Sequence, residues 1–400
     1  MKLITEQQVI ASPYKLILAV ADGLGGLPQH PGGKTELETA NTPNLDRLAA
    51  EGSLGLLDPI GPGITPGSGP AHLALFGYDP IENNVGRGLL SALGNDFPIE
   101  DIDILARGNY CTLDADRNII DRRAGRIPTA ESSILCERLE KIIDLGEVKA
   151  FVRPEQDHRF LLVLRAPGLS DQLDDTDPQA TGVPPRKCRP LNEHAAKTAR
   201  LVDEFTHQAQ EILADQKKAN GVLLRGFARK LPLPSITDRF GIRAAALADY
   251  PMYRGLAQLV GMVVISREKN LFDRAKVLTE RREDFDFFYF HYKKTDAKGE
   301  DGNFQAKVEA VEEFDSVFPL ILEAKPDVLI VTGDHSTPAM MASHSWHPVP
   351  MLLWGRYVRT DAAQSFGETE AIQGGLGRMP MMQMMPLALA HAGRLIKFGA

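Results

Sequence analysis

The sequence predicts an α/β protein: a mostly parallel sheet flanked by helices, with a smaller α+β domain inserted into it. Three observations predict this class. Apolar runs of strand length occur without alternation, helical patterns follow them, and an acid stands directly after several of the runs. An unalternated apolar run marks a strand buried on both faces, the condition of a parallel sheet covered by helices. Strand–helix alternation at both ends of the chain, but not in its middle, places the insertion.

The elements follow in order. Residues 14–21 form the first buried strand, and Asp22-Gly23-Leu24-Gly25-Gly26 ends it in a loop. Thr42 as N-cap, Pro43 at the first helical position and Gly52 as the stop predict a short helix. Ser68 stands just before another, with Pro70 in its first turn and Gly77 at its end. In the middle, residues 102–180 carry short strand-like pieces such as 160–164 and many turn residues, including the acidic run from Asp171 to Asp177. The expected division is a core of residues 1–100 and 186–400 around an inserted domain of 101–185. Ala195, Val202, Phe205, Ala209 and Leu213 share one face of a helix over about 194–214.

Residues 285–290 read as a strand that runs into His291. Phe304, Val308, Val311, Phe314, Phe318 and Ile321 recur at helical spacing after it. Residues 327–331 form another buried strand ending at Gly333-Asp334, and 349–354 a further one.

Composition narrows the function. The chain has 400 residues, 43% hydrophobic and 24% charged, ordinary for a globular protein. A net charge of -8 argues against a general nucleic-acid or membrane-surface binder. Cys111, Cys136 and Cys188 are odd in number and form no CxxC pair, which fits a reduced, cytoplasmic compartment. Residues 1–13 are polar and lack a signal-peptide core. The Met-rich stretch 379–390 is broken by Pro380, Gln383 and Pro386, too short to span a bilayer and expected to pack in the core.

Asp22, Asp296 and Asp334 each follow a strand closely. In open α/β sheets ligands bind at the carboxyl ends of the strands, so three acids far apart in sequence should meet on one edge. His335, His344 and His347 lie near the last of them. Carboxylates and imidazoles in this set read as a dinuclear metal site, and a serine such as Ser68 among them can be deprotonated by a metal and become a nucleophile. His72, four residues after Ser68, either touches a phosphate or makes a packing contact. His291 is either a core histidine or a substrate contact. Arg107, Arg122, Arg123, Arg126, Arg225 and Arg254 are candidates for binding anionic oxygens. Salt bridges to the acids of 171–177 are their alternative, and Asp121 is a candidate partner for one of them.

In this order, Val20-Ala21-Asp22-Gly23, Thr42-Pro43-Asn44-Leu45-Asp46, Gly67-Ser68-Gly69-Pro70-Ala71-His72 with Phe76-Gly77-Tyr78-Asp79-Pro80, Asp121-Arg122-Arg123-Ala124-Gly125-Arg126, Thr295-Asp296-Ala297-Lys298-Gly299 and Gly333-Asp334-His335-Ser336-Thr337-Pro338 are highly specific. The chain resembles the archaeal-type cofactor-independent phosphoglycerate mutases of the alkaline phosphatase superfamily over nearly its whole length. The resemblance implies an alkaline-phosphatase-like core. It implies that Asp22, Ser68, Asp334 and His335 hold one metal ion, and Asp296 and His344 the other. Family members often carry histidine where this chain has Glu300. A carboxylate there still binds Mn²⁺ or Mg²⁺, and Zn²⁺ less exclusively. Glu300 ranks above His347 as the remaining ligand, being one helical turn from Asp296.

The implied reaction interconverts 3-phosphoglycerate and 2-phosphoglycerate through phosphoserine at Ser68, with two divalent ions and no 2,3-bisphosphoglycerate. The inserted domain is then the lid that excludes water. A small-molecule substrate is the expected partner; the sequence assigns no oligomeric state. The alternatives are a metal-dependent phosphatase or another phosphomutase on the same core, or a non-catalytic metabolite-binding relative. A sulfatase is disfavoured, because no Cys-x-Pro-x-Arg segment surrounds the nucleophile position.

Overall fold

The structure, a computed structural model, describes residues 4–83 and 85–399. Its strands in chain order are β1 (Leu16–Ala21), β2 (Ser53–Asp58), β3 (Asp103–Leu113), β4 (Ile119–Asp121), β5 (Lys149–Pro154), β6 (Arg159–Arg165), β7 (Gly221–Ala228), β8 (Ala244–Leu247), β9 (Val263–Ser266), β10 (Phe287–Tyr292), β11 (Val328–Thr332), β12 (Val349–Gly355) and β13 (Gly377–Pro380). They fall into two compact units, one of residues 1–84 with 233–400, the other of residues 85–232.

The first unit holds an eight-stranded sheet in the order β13-β2-β12-β11-β1-β10-β8-β9. Only β12 runs against its neighbours, β11 and β2. The remaining pairs are parallel. β1 and β10 are buried along their whole length, as the apolar runs predict. One face is covered by helices whose Leu45, Leu48, Val311, Phe314, Phe318 and Ile321 pack on Leu329, Phe288 and Ala19. The helical pattern beginning at Phe304 forms two helices, Phe304–Ser316 and Phe318–Glu323. Pro319 has no backbone N–H to donate and sits in the first turn of the second, which restarts the helix there. Met381, Met384 and Met385 are fully buried.

The second unit is an antiparallel sheet centred on β3, which pairs with β6 and β7, while β5 adds to β6 and β4 to the end of β3. The helices Thr129–Ile142 and Ala196–Ile212 cover one face through Leu135, Leu139, Val202, Phe205 and Ala209. This unit extends beyond the 101–185 expected from sequence, at both ends. The cause is pairing: β7 lies over 100 residues from β3 yet bonds along it from Leu105 to Cys111, and helix Arg87–Gly94 packs on both. Long-range strand pairing of this kind leaves no local mark in the sequence. Among the described residues no helix is long and apolar enough to cross a membrane.

Candidate metal and phosphoryl-transfer site

The register of the parallel strands brings the acids together. Ala21 lies opposite Tyr292 on β10, and Val20 opposite Thr332 on β11. Asp22 therefore leaves β1 between the loops that carry Asp296 and Asp334. Its N–H donates to the Tyr292 carbonyl at 2.9 Å, and the Thr295 hydroxyl donates to its carbonyl at 2.5 Å. Gly23 takes φ +63 and donates its N–H to Asp334 Oδ1 at 3.0 Å. A Cβ there would stand 2.6 Å from Thr337 Oγ1 and 2.8 Å from Asp296 Oδ1, so only glycine allows the loops to meet so closely. β12 returns antiparallel to β11, so the long segment between them stays at the same edge and supplies His344.

Two groups of ligand-type atoms result. Asp22, Asp334 and His335 form one, and Asp296, His335 and His344 the other; the atoms of each lie within 4.8 Å of one another. His335 Nε2 is 3.4 Å from Asp22 Oδ1 and 3.2 Å from Asp334 Oδ2. His344 Nε2 is 3.6 Å from Asp296 Oδ1 and 3.8 Å from Glu300 Oε1. Glu300 ends the helix Lys294–Glu300, one turn after Asp296, and is exposed. Ser68 is the first residue of the helix Ser68–Leu75, partly exposed, with Oγ 3.5 Å from His335 Nε2.

The donor chemistry fits cations. Asp22, Asp334 and His335 are fully buried; Asp22 Oδ1 and Asp334 Oδ2 lack hydrogen-bond donors, while Asp22 Oδ2 faces the Lys293 ammonium at 3.1 Å. A buried carboxylate oxygen left without a donor is costly unless a cation meets it. Burial pushes the Asp22 carboxyl up, but Lys293, His291 and His335 together outweigh it and hold it well below the usual range. Burial pushes the His335 imidazole below its ordinary range. Each ligand histidine has its other nitrogen engaged: His335 Nδ1 lies 2.9 Å from Thr337 Oγ1, and His344 Nδ1 lies 2.9 Å from the Pro66 carbonyl. Such partners fix which nitrogen is left for a metal.

The remaining residues separate. His72 is fully buried, with Nδ1 2.9 Å from the Ser68 carbonyl and 3.2 Å from Asp334 Oδ2. His291 is fully buried with Nε2 3.4 Å from Asp22 Oδ2, so it is neither a plain core histidine nor exposed to a substrate. His347 lies in neither ligand group; its Nδ1 is 3.0 Å from Ser345 Oγ. Arg254 is buried in the first unit and donates to the Asp249 carbonyl.

Arg107, Arg122, Arg123 and Arg225 line a cavity of about 320 Å³ in the second unit, together with Arg87 and Arg159. Arg126 is not among its lining residues. Asp121 does not pair with an arginine side chain as expected; it accepts from the N–H groups of Arg123 and Gly125 and so closes the turn. Asp177 takes Arg122 in a two-bonded pair at 3.0 and 2.7 Å, and Arg225 at 3.6 Å. Burial, then Arg159 and Arg123, push the His158 imidazole down to about 4. Burial, then Arg225 and Arg107, lower Arg87. The cavity thus carries more positive charge than its acids neutralise. Lys293, Tyr253, Arg87, Arg159 and His158 were not singled out from sequence. Arg87 had one local signal, a cation beside Gly86 at the start of a helix.

A family model described as 2,3-bisphosphoglycerate-independent phosphoglycerate mutase matches residues 49–219. A Thermus thermophilus protein named "Probable 2,3-bisphosphoglycerate-independent phosphoglycerate mutase" is 52% identical, covering 97% of each chain. A Thermotoga maritima protein of the same name is 47% identical over 100% of this chain and 98% of its own. Among solved structures, the cofactor-independent phosphoglycerate mutase of Thermoplasma acidophilum superposes with a TM-score of 0.70 at 29% identity, covering 95% of this chain and 100% of that one. A Pyrococcus horikoshii protein superposes at 0.83 with 32% identity, covering 98% and 100%.

Proposed function

The chain belongs to the 2,3-bisphosphoglycerate-independent phosphoglycerate mutases, and from that premise we propose that Ser68 is the residue that carries the phosphoryl group between the two hydroxyls of glycerate. The enzyme is an isomerase that interconverts 3-phosphoglycerate and 2-phosphoglycerate. The observation that carries the assignment is the meeting of Ser68 Oγ, His335, Asp22 Oδ1 and Asp334 Oδ2, the last two without hydrogen-bond donors, at one edge of the sheet.

Asp22, Asp334, His335 and Ser68 would hold one divalent ion, and Asp296, His344 and Glu300 the other. Bound there, the two ions supply Lewis-acid charge to the phosphoryl oxygens and lower the pKa of the serine hydroxyl. Four carboxylates among the ligands favour Mn²⁺ or Mg²⁺. Ser68 Oγ attacks phosphorus, its bond to phosphorus forms as the substrate C3–O–P link breaks, and the serine proton passes to the released hydroxyl. The glycerate turns, its 2-hydroxyl oxygen bonds to phosphorus as the Ser68 Oγ–P bond breaks, and the 2-hydroxyl proton passes to Ser68 Oγ. At the head of its helix Ser68 also offers backbone N–H groups to the phosphoryl oxygens. His72 bridges the Ser68 carbonyl and Asp334 and positions both. In the second unit, Arg87, Arg107, Arg122, Arg123 and Arg225 line a cavity whose charge suits the substrate's anionic groups. The three cysteines are buried thiols, in keeping with a cytoplasmic enzyme.

The test is a coupled assay of 3-phosphoglycerate to 2-phosphoglycerate with Mn²⁺, without bisphosphoglycerate, following free phosphate in parallel. Turnover without phosphate release is expected. Phosphate release without 2-phosphoglycerate would turn the same residues into a hydrolase.

A further inference from the structure

Lys293 has no part in the reaction as derived above, yet it stands between the two ligand groups. β1 and β10 are parallel with Ala21 opposite Tyr292. Asp22 and Lys293 are the next residues, and they leave neighbouring strands at one level. Lys293 then leads into the helix Lys294–Glu300, whose first turn carries Asp296. Register and helix start together fix the lysine between two acids that belong to different ions.

The oxygens of those acids divide in a consistent way. Asp22 Oδ1 faces His335 Nε2 at 3.4 Å, while Asp22 Oδ2 is 3.1 Å from Lys293 Nζ. Asp296 Oδ1 lies 3.6 Å from His344 Nε2 and accepts from Thr337 Oγ1 at 2.7 Å, while Asp296 Oδ2 accepts from Lys293 Nζ at 2.5 Å. On both acids, Oδ1 turns to a histidine of the two ligand groups and Oδ2 to the ammonium, with His291 Nε2 also 3.4 Å from Asp22 Oδ2. Lys293 Nζ also donates to Tyr253 Oη at 3.2 Å, and Tyr253 is fully buried. The lysine side chain is only 22% exposed, so its three neighbours rather than water hold it.

We propose that Lys293 is a positioning residue that ties Asp22 to Asp296 through their Oδ2 atoms, presents Oδ1 of each to its own ion, and thereby sets the separation of the two ions. The proposal rests on the dinuclear reading above. The physical reason is that a carboxylate free at both oxygens can rotate and take an ion with both, whereas one held at Oδ2 offers a single, aimed donor. Groups of this kind, which touch the ligands rather than the ion, change metal affinity by about 10- to 100-fold when removed. The rival account makes opposite predictions: if Lys293 merely competed with cations for the acids, its removal would tighten binding.

The experiment strips the full-length enzyme with chelator and titrates it with Mn²⁺, counting free and bound ion by electron paramagnetic resonance. Wild type is compared with Lys293→Met and Tyr253→Phe. Lys293→Met is expected to bind both ions about 10- to 100-fold more weakly, and the spin coupling between the two bound Mn²⁺ ions is expected to change. Tyr253→Phe, which removes one neighbour of the ammonium, is expected to weaken both in the same direction by less. Binding in Lys293→Met that is unchanged, tighter, or weakened at one ion alone overturns the proposal. Should Lys293→Met show no cooperative melt, an unchanged affinity in Tyr253→Phe overturns it. A wild type that binds no ion refutes the dinuclear reading itself, a result distinct from a wild type that binds two ions and a variant that matches it.

Discussion

Ser68 is placed to act by three separate features. It opens a helix; it is partly exposed, so a phosphate can reach it; and His335 lies at 3.5 Å. Replacing Ser68 by Ala keeps the helix and every buried ligand but removes the attacking oxygen. Mutase turnover is expected to fall to background in the coupled assay, while Mn²⁺ binding persists at reduced affinity because one ligand of one ion is gone. Turnover that survived in Ser68→Ala would refute the phosphoserine route. Glu300 differs from the other proposed ligands Asp22, Asp296, Asp334 and His335 in being exposed rather than buried. Burial beside it, then Asp296, raise its carboxyl.

At the scale of elements, the loops after β1 and β11 are locked together by one buried cation. Lys307 is fully buried and donates to the carbonyls of Gly25 and Thr337, both at 2.9 Å. Glu36, also fully buried, lies 4.0 Å away and accepts from the N–H groups of Leu27 and Ala339. The pair therefore pins both ligand loops from behind. Lys307→Met leaves a buried carboxylate and two carbonyls unpaired, and a loss of about 3–5 kcal/mol is expected in urea unfolding. A loss below about 1 kcal/mol would show that the loops hold without it.

Glu368 closes the same region from another helix. It accepts from the Gly26 N–H at 2.8 Å and the Thr35 hydroxyl at 2.7 Å. Burial raises its carboxyl to about 7 despite these bonds. An unfolded glutamate ionises near 4.3, roughly. Between those values the folded protein keeps a proton that the unfolded chain has lost, so this group makes stability fall as pH rises from about 4.3 to about 7. Glu368→Gln removes the slope. Thermal melts at pH 5 and pH 8 should therefore differ less in the variant than in wild type; equal differences would place the carboxyl in the ordinary range.

For the whole molecule, the candidate cation ligands lie in the first unit and the guanidinium-lined cavity in the second. The first concentrates donor-free carboxylate oxygens, the second concentrates guanidinium groups that repel one another. Anything that binds the folded form alone stabilises it by mass action, about 2.7 kcal/mol at 100 times its Kd. Phosphoglycerate is expected to raise the melting temperature of the wild type. Arg87→Leu, which removes one guanidinium from the cavity wall, should lose most of that rise and raise KM while Mn²⁺ content stays unchanged. A full rise in Arg87→Leu would remove the cavity from the substrate's path.

The sequence by itself determined the strands that are buried on both faces, because an apolar run has no other stable environment in a helix-covered sheet. It also determined that Asp22, Asp296 and Asp334 would converge, because each follows such a strand and parallel strands end on one edge. What lies between those acids was decided only in three dimensions. Lys293 reads in sequence as one lysine of a pair before Thr295, and nothing local marks it; the register of β1 against β10 sets it between two carboxylates. His72, four residues from Ser68, reads in sequence as either a phosphate contact or a packing contact, and its 3.2 Å approach to Asp334 exists only in the folded chain. The limits of the second unit were likewise fixed by β7 pairing with β3. Periodicity and turn chemistry are local and legible in the chain, whereas register, burial of a given face and long-range pairing exist only once distant strands have met.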